Sequence, residues 1–281
     1  MSSKTTRARG RVNPLVHLLV WVYAAILLIP LYFMLVSSFK DNTGIFSNPF
    51  GLPASLSFDN FFKAWNQVEL GTGMVNSVLV TLVAEALTLV LAIPAAYAIA
   101  RSKGRFGAFV ERIFAMGLLI PSFAALVPTL LLAIAMQLFH TREFLILFLP
   151  ATALPLSVIL LTQFMRAVPA ELEESAMIDG ANRLRVLISI YMPVTIPGIA
   201  TLLILNFLGF WNEYLYALIL AGPETATRTA QVALPTLVST TQTQYGILLA
   251  GALITMVPVY IVYIVLQRRL EDAFLQGAVK S

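Results

Sequence analysis

The chain has no cysteine, two histidines and, in 281 residues, only 18 Lys or Arg and 14 Asp or Glu. Without cysteine there are no disulfides, iron–sulfur clusters or thiolate metal sites. His17 and His140 lie near the ends of different apolar runs, on opposite membrane faces in the topology derived below, so interfacial roles are expected of them and a shared metal site is not. Charged residues make up 11% of the chain, against roughly 25% in globular proteins, which excludes an ordinary soluble domain. A hydrophobic share of 59% and a mean hydropathy of +0.85 exclude disorder. Also missing are the G-x-x-x-x-G-K-[ST] phosphate loop, the H-E-x-x-H zinc motif and the G-x-S-x-G nucleophile elbow, so three common routes to enzymatic chemistry have no foothold.

What the chain has in excess is long apolar runs. Six are evident, at 15–36, 74–100, 113–136, 144–165, 198–220 and 247–267, and together they hold two charges, Glu85 and Glu213, while the other 30 fall between them. A hydrocarbon core of about 30 Å needs roughly 20 helical residues. The runs lack the period-two alternation of barrel strands, so the expected fold is all-α, a polytopic membrane protein with six transmembrane helices. The first run exceeds a secretory h-region of about 7–15 residues and reads as an uncleaved anchor.

Basic residues orient the spans. Placing both termini inside puts Lys4, Arg7, Arg9, Arg11, Arg101, Lys103, Arg105, Arg112, Arg166, Arg183, Arg185, Arg268, Arg269 and Lys280 in the cytoplasm, leaving Lys40, Lys63, Arg142 and Arg228 outside. The formal charge of +4 is therefore a topological signal, and no nucleic-acid partner is expected. The expected layout is a cytoplasmic tail 1–14, a membrane domain 15–267 and a cytoplasmic tail 268–281.

The outer segment 37–73 contains Phe58, Phe61, Phe62 and Trp65 at helical spacing, which predicts a short helix resting its aromatics at the headgroups. The outer segment 221–246 is polar, rich in Thr and Gln, and available to an external partner.

The inner segment 169–193 is the most informative. Pro169 suits a first helical turn, Glu171, Glu173 and Glu174 favour the positive end of the helix dipole, and Gly180 is a natural stop. A second helix from Asn182 puts Leu184, Leu187, Ile188 and Tyr191 on one stripe, and Pro193 and Pro197 mark the return to the membrane. The expected shape is a helix-turn-helix under the bilayer, a knob offered to a cytoplasmic partner.

Glu174-Ser175-Ala176, three residues, Gly180, nine residues and Ile190-Tyr191-Met192-Pro193 resemble the EAA motif of ABC importer permeases, with Ser175 in place of the middle alanine and Met192 in place of leucine. Asp179 and Ala181 beside the glycine are also similar to the family form. Asn76-Ser77, Ala95 to Arg101, Trp211-Asn212-Glu213-Tyr214 and the tail Gly277 to Ser281 resemble the maltose-type carbohydrate branch, in particular its shorter permease subunit, over nearly the whole chain.

The resemblance implies that residues 15–267 are a permease domain in a bacterial-type inner membrane, and that the chain is a transport subunit with no cofactor of its own. ATP and Mg would be bound by two separate ATP-binding subunits, and the other partners would be a second permease subunit, an extracytoplasmic solute-binding protein and membrane lipid. It implies that the helix between spans four and five couples to the ATPase, with Gly180 permitting the turn, Glu174 making a charged contact, Ala176 and Ala181 allowing close approach, and Ser175, Asp179 and Pro193 completing the motif. Gly277, Ala278, Val279 and Lys280 would be a second ATPase contact. Gln242, Gln244 and Tyr245 lie where the family's binding-protein loop falls, although a plain linker fits the same residues.

Glu85, Asn206, Trp211, Asn212 and Glu213 are candidates for the translocation path. For Glu85 two readings stand, a pore-lining acceptor or a carboxyl packed between helices, since an ionised acid at mid-membrane costs about 3 kcal/mol. Seven prolines inside the runs (Pro30, Pro94, Pro121, Pro128, Pro150, Pro155, Pro258) predict bent helices. The rival functions are an ion-coupled secondary carrier using Glu85, which leaves the 170–193 pattern unexplained, and an ABC permease for a non-sugar solute such as glycerol phosphate.

Overall fold

The computed structural model describes residues 14–102, 104–238 and 243–278, with side chains as far as residue 267. Lys4, Arg7, Arg9, Arg11, Lys103, Gln242, Val279 and Lys280, and the side chains of Arg268 and Arg269, lie outside the described residues. Every regular element described is helical: α1 (Pro14–Ser37), α2 (Asn42–Ser47), α3 (Asp59–Gln67), α4 (Leu70–Arg101), α5 (Arg105–Gly117), α6 (Ser122–Ala135), α7 (Arg142–Arg166), α8 (Ala170–Ile178), α9 (Arg183–Val186), α10 (Met192–Trp211), α11 (Ala230–Ala233) and α12 (Tyr245–Ala278). A π-helical turn, Leu187–Tyr191, joins α9 to α10, so the apolar run there is Arg183–Trp211.

Five helical runs are long and apolar enough to cross a membrane, and a bent pair makes a sixth. The expected spans 15–36, 74–100, 144–165 and 247–267 fall within α1, α4, α7 and α12. The other two expectations need correction. Residues 113–136 are not one helix, because α5 and α6 meet at 96°. Pro121 stands at the break with extended backbone (φ −66°, ψ 127°), and a proline disfavours helical geometry in the residue before it. Residues 198–220 are not one helix either. The helix begins earlier and stops at Trp211, where the Asn212 amide donates back to the Leu208 carbonyl at 2.9 Å and the Glu213 carboxylate accepts from the Tyr216 N–H at 2.8 Å. Short polar side chains thus satisfy the backbone groups that a helix end leaves open.

Helices α4 and α7 run parallel, since Arg142 donates to Asn76 at one end while Arg101 donates to the Val168 carbonyl at the other. The chain between them must therefore travel the length of the bundle. At 1.5 Å per residue, α5 and α6 are each about 20 Å long, too short to span alone and sufficient as a bent pair. Glu111 on α5 pairs with Arg166 at 2.6 Å, and a Cβ on Gly117 would lie 2.8 Å from Pro155, so α5 is seated antiparallel along α7.

Lipid supplies no hydrophobic drive between helices, and small residues let backbones approach. Thr81, Ala84, Thr88, Ala92 and Ala96 recur every three or four positions along α4 and are each at most 1% exposed. Against this stripe pack Leu145, Leu149, Val158 and Leu161 of α7, in two cores. By contrast α1 carries almost all its apolar side chains exposed. The outer helix predicted around residues 58–65 forms as α3, but Phe58 and Phe61 turn onto Phe39, 5.5 and 5.2 Å between ring centroids, while Phe62 and Trp65 stay exposed.

Candidate functional site

The segment after α7 forms a helix-turn-helix. Pro169 caps α8 from one position before its first turn, with φ −57° and ψ 137°. At the far end Ala181 N–H donates to the Ala176 carbonyl at 2.9 Å and Gly180 N–H to the Met177 carbonyl at 3.1 Å. This is a Schellman closure, and Gly180 takes the left-handed φ of +83° it requires. Asn182 then caps α9, its Oδ1 accepting from Arg185 N–H at 2.9 Å.

No residue of α8 is buried. Glu174, Ser175, Asp179 and Pro193 are exposed, as is Gly180, around which an added Cβ would meet nothing within 4 Å. Apolar side chains are exposed among them, Ile178 at 86% and Leu184 at 64%. The stripe expected in the second helix divides: Leu187 and Tyr191 are buried, Leu184 and Ile188 exposed. The π turn is the reason, because its i→i+5 pattern rotates successive side chains away from α-helical register. Ala176 and Ala181 face inward, half-buried against the core that includes Val168, Val186 and Leu187. Their small size allows close approach to the chain's own bundle.

Of the three glutamates of α8 the sequence motif singles out Glu174, and the structure singles out Glu173. Glu171 and Glu174 are exposed. The Glu173 carboxylate turns into the bundle, accepting hydrogen bonds from the Tyr97 hydroxyl at 2.9 Å and the Tyr191 hydroxyl at 2.8 Å. Arg101 Nε lies 3.0 Å from it; this N–H is not aligned on the carboxylate, so the contact is coulombic. The same guanidinium donates to the Val168 carbonyl at 2.7 Å and lies 4.8 Å from the centre of the Tyr191 ring, a cation–π arrangement. Tyr97 and Tyr191 meet edge to face at 4.9 Å. One signal was legible: Arg101 is the lone charge in the last turn of a long apolar helix.

Of the translocation candidates, Glu85 and Asn206 meet each other. Glu85 and Asn206 are each 5% exposed, and the Asn206 amide donates to the Glu85 carboxylate at 3.4 Å and to the Ser157 hydroxyl at 3.3 Å. Of the two readings left open for Glu85, the geometry supports packing between α4, α7 and α10. Trp211 is 1% exposed, stacks on Phe207 at 5.7 Å and donates its indole N–H to the Thr255 carbonyl at 3.1 Å. It presents no face for a sugar in this chain. Asn212 and Glu213 lie apart from these, in the helix-ending turn.

At the opposite end from α8, Gln244 is exposed, and Tyr245 is held by its N–H on Asn42 and its ring against Phe46. Asn76 donates to the Ala226 and Arg228 carbonyls at 3.0 and 2.9 Å, and the Ser77 hydroxyl accepts from Ala230 N–H at 2.9 Å. The Asn76-Ser77 pair thus pins the 226–230 loop onto the head of α4. Gly277 and Ala278 continue the backbone of α12.

Comparison with known proteins fits this architecture. The diacetylchitobiose uptake system permease protein NgcG of Streptomyces coelicolor is 34% identical over 262 residues, covering 93% of this chain and 87% of that one. The melibiose/raffinose/stachyose import permease protein MelC of Bacillus subtilis is 29% identical, covering 98% and 99%. A chain from the crystal structure of a bacterial ABC transporter that imports the acidic polysaccharide alginate shares the fold, with a TM-score of 0.78 at 23% identity, covering 95% of this chain and 98% of that one. The profile of the binding-protein-dependent transport system inner membrane component family matches residues 88–275. An all-helical bundle of five or six apolar spans, with a capped helix-turn-helix at one end and this family profile over most of its length, is an ABC transporter permease subunit, a multi-pass membrane protein and not an enzyme.

Proposed function

We propose that the chain is one of two permease subunits of an importer for short neutral oligosaccharides, with both termini cytoplasmic and α8 as the coupling helix that seats on an ATP-binding subunit. The observation that carries this reading is the α8–α9 knob. It is closed on itself by its own caps, yet it exposes Ile178 and Leu184 beside Glu174 and Gly180 at the end of the bundle where Arg101, Arg105, Arg112, Arg166, Arg183 and Arg185 gather. Positive charge favours the cytoplasmic face. The chain has no phosphate loop, so the two ATP-binding subunits supply ATP and Mg, and an extracytoplasmic solute-binding protein delivers substrate to the 221–246 face, where Gln242, Gln244 and Tyr245 are candidate contacts. Gly277 to Lys280 is the candidate second ATPase contact. The sugar class rests on relatives named for diacetylchitobiose and for melibiose, raffinose and stachyose.

Orientation is tested by fusing a periplasm-active phosphatase after Arg112. The fusion is expected to be inactive, with a fusion after Glu224 active; the reverse pattern would invert the topology. The substrate class is tested in the assembled complex with its binding protein. Di- to tetrasaccharides are expected to stimulate ATP hydrolysis, and stimulation by glycerol phosphate alone would replace the sugar assignment.

A further inference from the structure

Helix α8 has a mechanical problem. None of its nine residues is buried, and the caps at its two ends close the helix on itself without bonding it to α4 or α10. A push delivered to such a helix would be spent in pivoting unless something fastens its middle. The Glu173 carboxylate is placed to do that. Its side chain is 14% exposed, and its three partners come from two membrane helices: Tyr97 and Arg101 from the last turns of α4, Tyr191 from the π turn that leads into α10. Arg101 adds the Val168 carbonyl just beyond α7.

We infer that the Tyr97–Arg101–Glu173–Tyr191 cluster is a latch, a set of positioning residues that makes α8 move as one body with the end of α4 and the start of α10. This rests on the coupling-helix reading above and deepens it. The two hydroxyl bonds and the ion pair hold the partly buried carboxylate in one place, because each member loses its partner if the others shift. The π turn fits this role, since such turns are insertions often found at functional sites, and here the turn delivers the Tyr191 hydroxyl to the carboxylate. Glu174, one residue on, points outward. Adjacent carboxylates therefore divide the work: Glu174 meets the ATPase, and Glu173 passes the movement inward.

The chain has no native cysteine, so, assembled with partner subunits made cysteine-free, spin labels placed at the exposed Leu172→Cys on α8 and Leu91→Cys on α4 report only the intended pair. The pair is measured in the complete importer, without nucleotide and after trapping with ATP and vanadate. With the latch intact, one narrow distance is expected in both states. In Glu173→Gln, and in Tyr97→Phe combined with Tyr191→Phe, the narrow peak is expected to be lost and its mean to shift on trapping. Glu173→Asp, which keeps the charge opposite Arg101, is expected to restore much of it. A distribution in Glu173→Gln as narrow and as unmoved as in the parent overturns the latch. Co-purification separates the two levels of inference: with the ATP-binding subunits still bound, an unmoved distribution removes the latch alone, whereas a parent chain that never binds them removes the coupling reading and the latch with it.

Discussion

Replacing Gly180 with tryptophan is expected to lower ATP-driven uptake by about 100-fold, the upper range for losing a coupling free energy between two sites, while leaving the amount of chain in the membrane nearly unchanged. Two features of the turn separate these effects. Gly180 holds φ +83°, where any L-residue pays about 1–2 kcal/mol, a modest cost to the fold. An added Cβ meets nothing within 4 Å, so the new side chain leaves the backbone into open space. The indole stands on the exposed knob, beside Ile178 and Glu174, where only a docked subunit would meet it. Gly180→Ala, with the same backbone strain and little bulk, is expected to retain most uptake. Parallel measurement of uptake, membrane abundance and co-purification of the ATP-binding subunits checks this; uptake by the tryptophan variant within about twofold of the parent would remove Gly180 from the coupling surface.

Trp211→Ala is expected to act on stability. The side chain is 1% exposed, stacked on Phe207 and bonded to the Thr255 carbonyl, so it ties α10 to α12. Truncating a buried Trp to Ala costs about 3–5 kcal/mol by analogy with soluble cores, and here it also removes the hydrogen bond that joins the indole to α12. Trp211→Phe keeps the stacking and should recover much of the loss. Denaturation in detergent micelles, alongside membrane abundance, reads both. A Trp211→Ala chain of parental stability that fails only in transport would return Trp211 to the translocation path.

The spans were legible because lipid imposes a length and forbids charge, constraints written directly into runs such as 74–100 and 144–165. Their interruptions were harder. Pro121 restricts the residue before it, yet it sits among Leu118, Leu119 and Ile120, and a hydropathy pattern reads straight through. Asn212 and Glu213 end α10 by bonding to nearby backbone, a local competition that the surrounding apolar residues hide. The 169–193 knob was legible because its ends are capped by residues with characteristic chemistry, Pro169, Gly180 and Asn182. The latch was not. Tyr97 and Glu173 are 76 positions apart, no periodicity links them, and Glu173 looks like its neighbours until the register of α8 shows which carboxylate faces the bundle. The burial of Glu85 was likewise undecided from sequence, because only packing brings Asn206 and Ser157 beside it.

On the coupling-helix proposal, this chain moves solute with energy received from another subunit through α8. The most direct measurement is uptake into proteoliposomes holding the two permease chains, the ATP-binding subunits and the binding protein, with ATP sealed in the compartment that the α8 end of the bundle faces. Accumulation that requires ATP, survives an uncoupler and disappears in Gly180→Trp is the predicted result. Accumulation driven by a proton or sodium gradient without ATP, and abolished by the uncoupler, would contradict it.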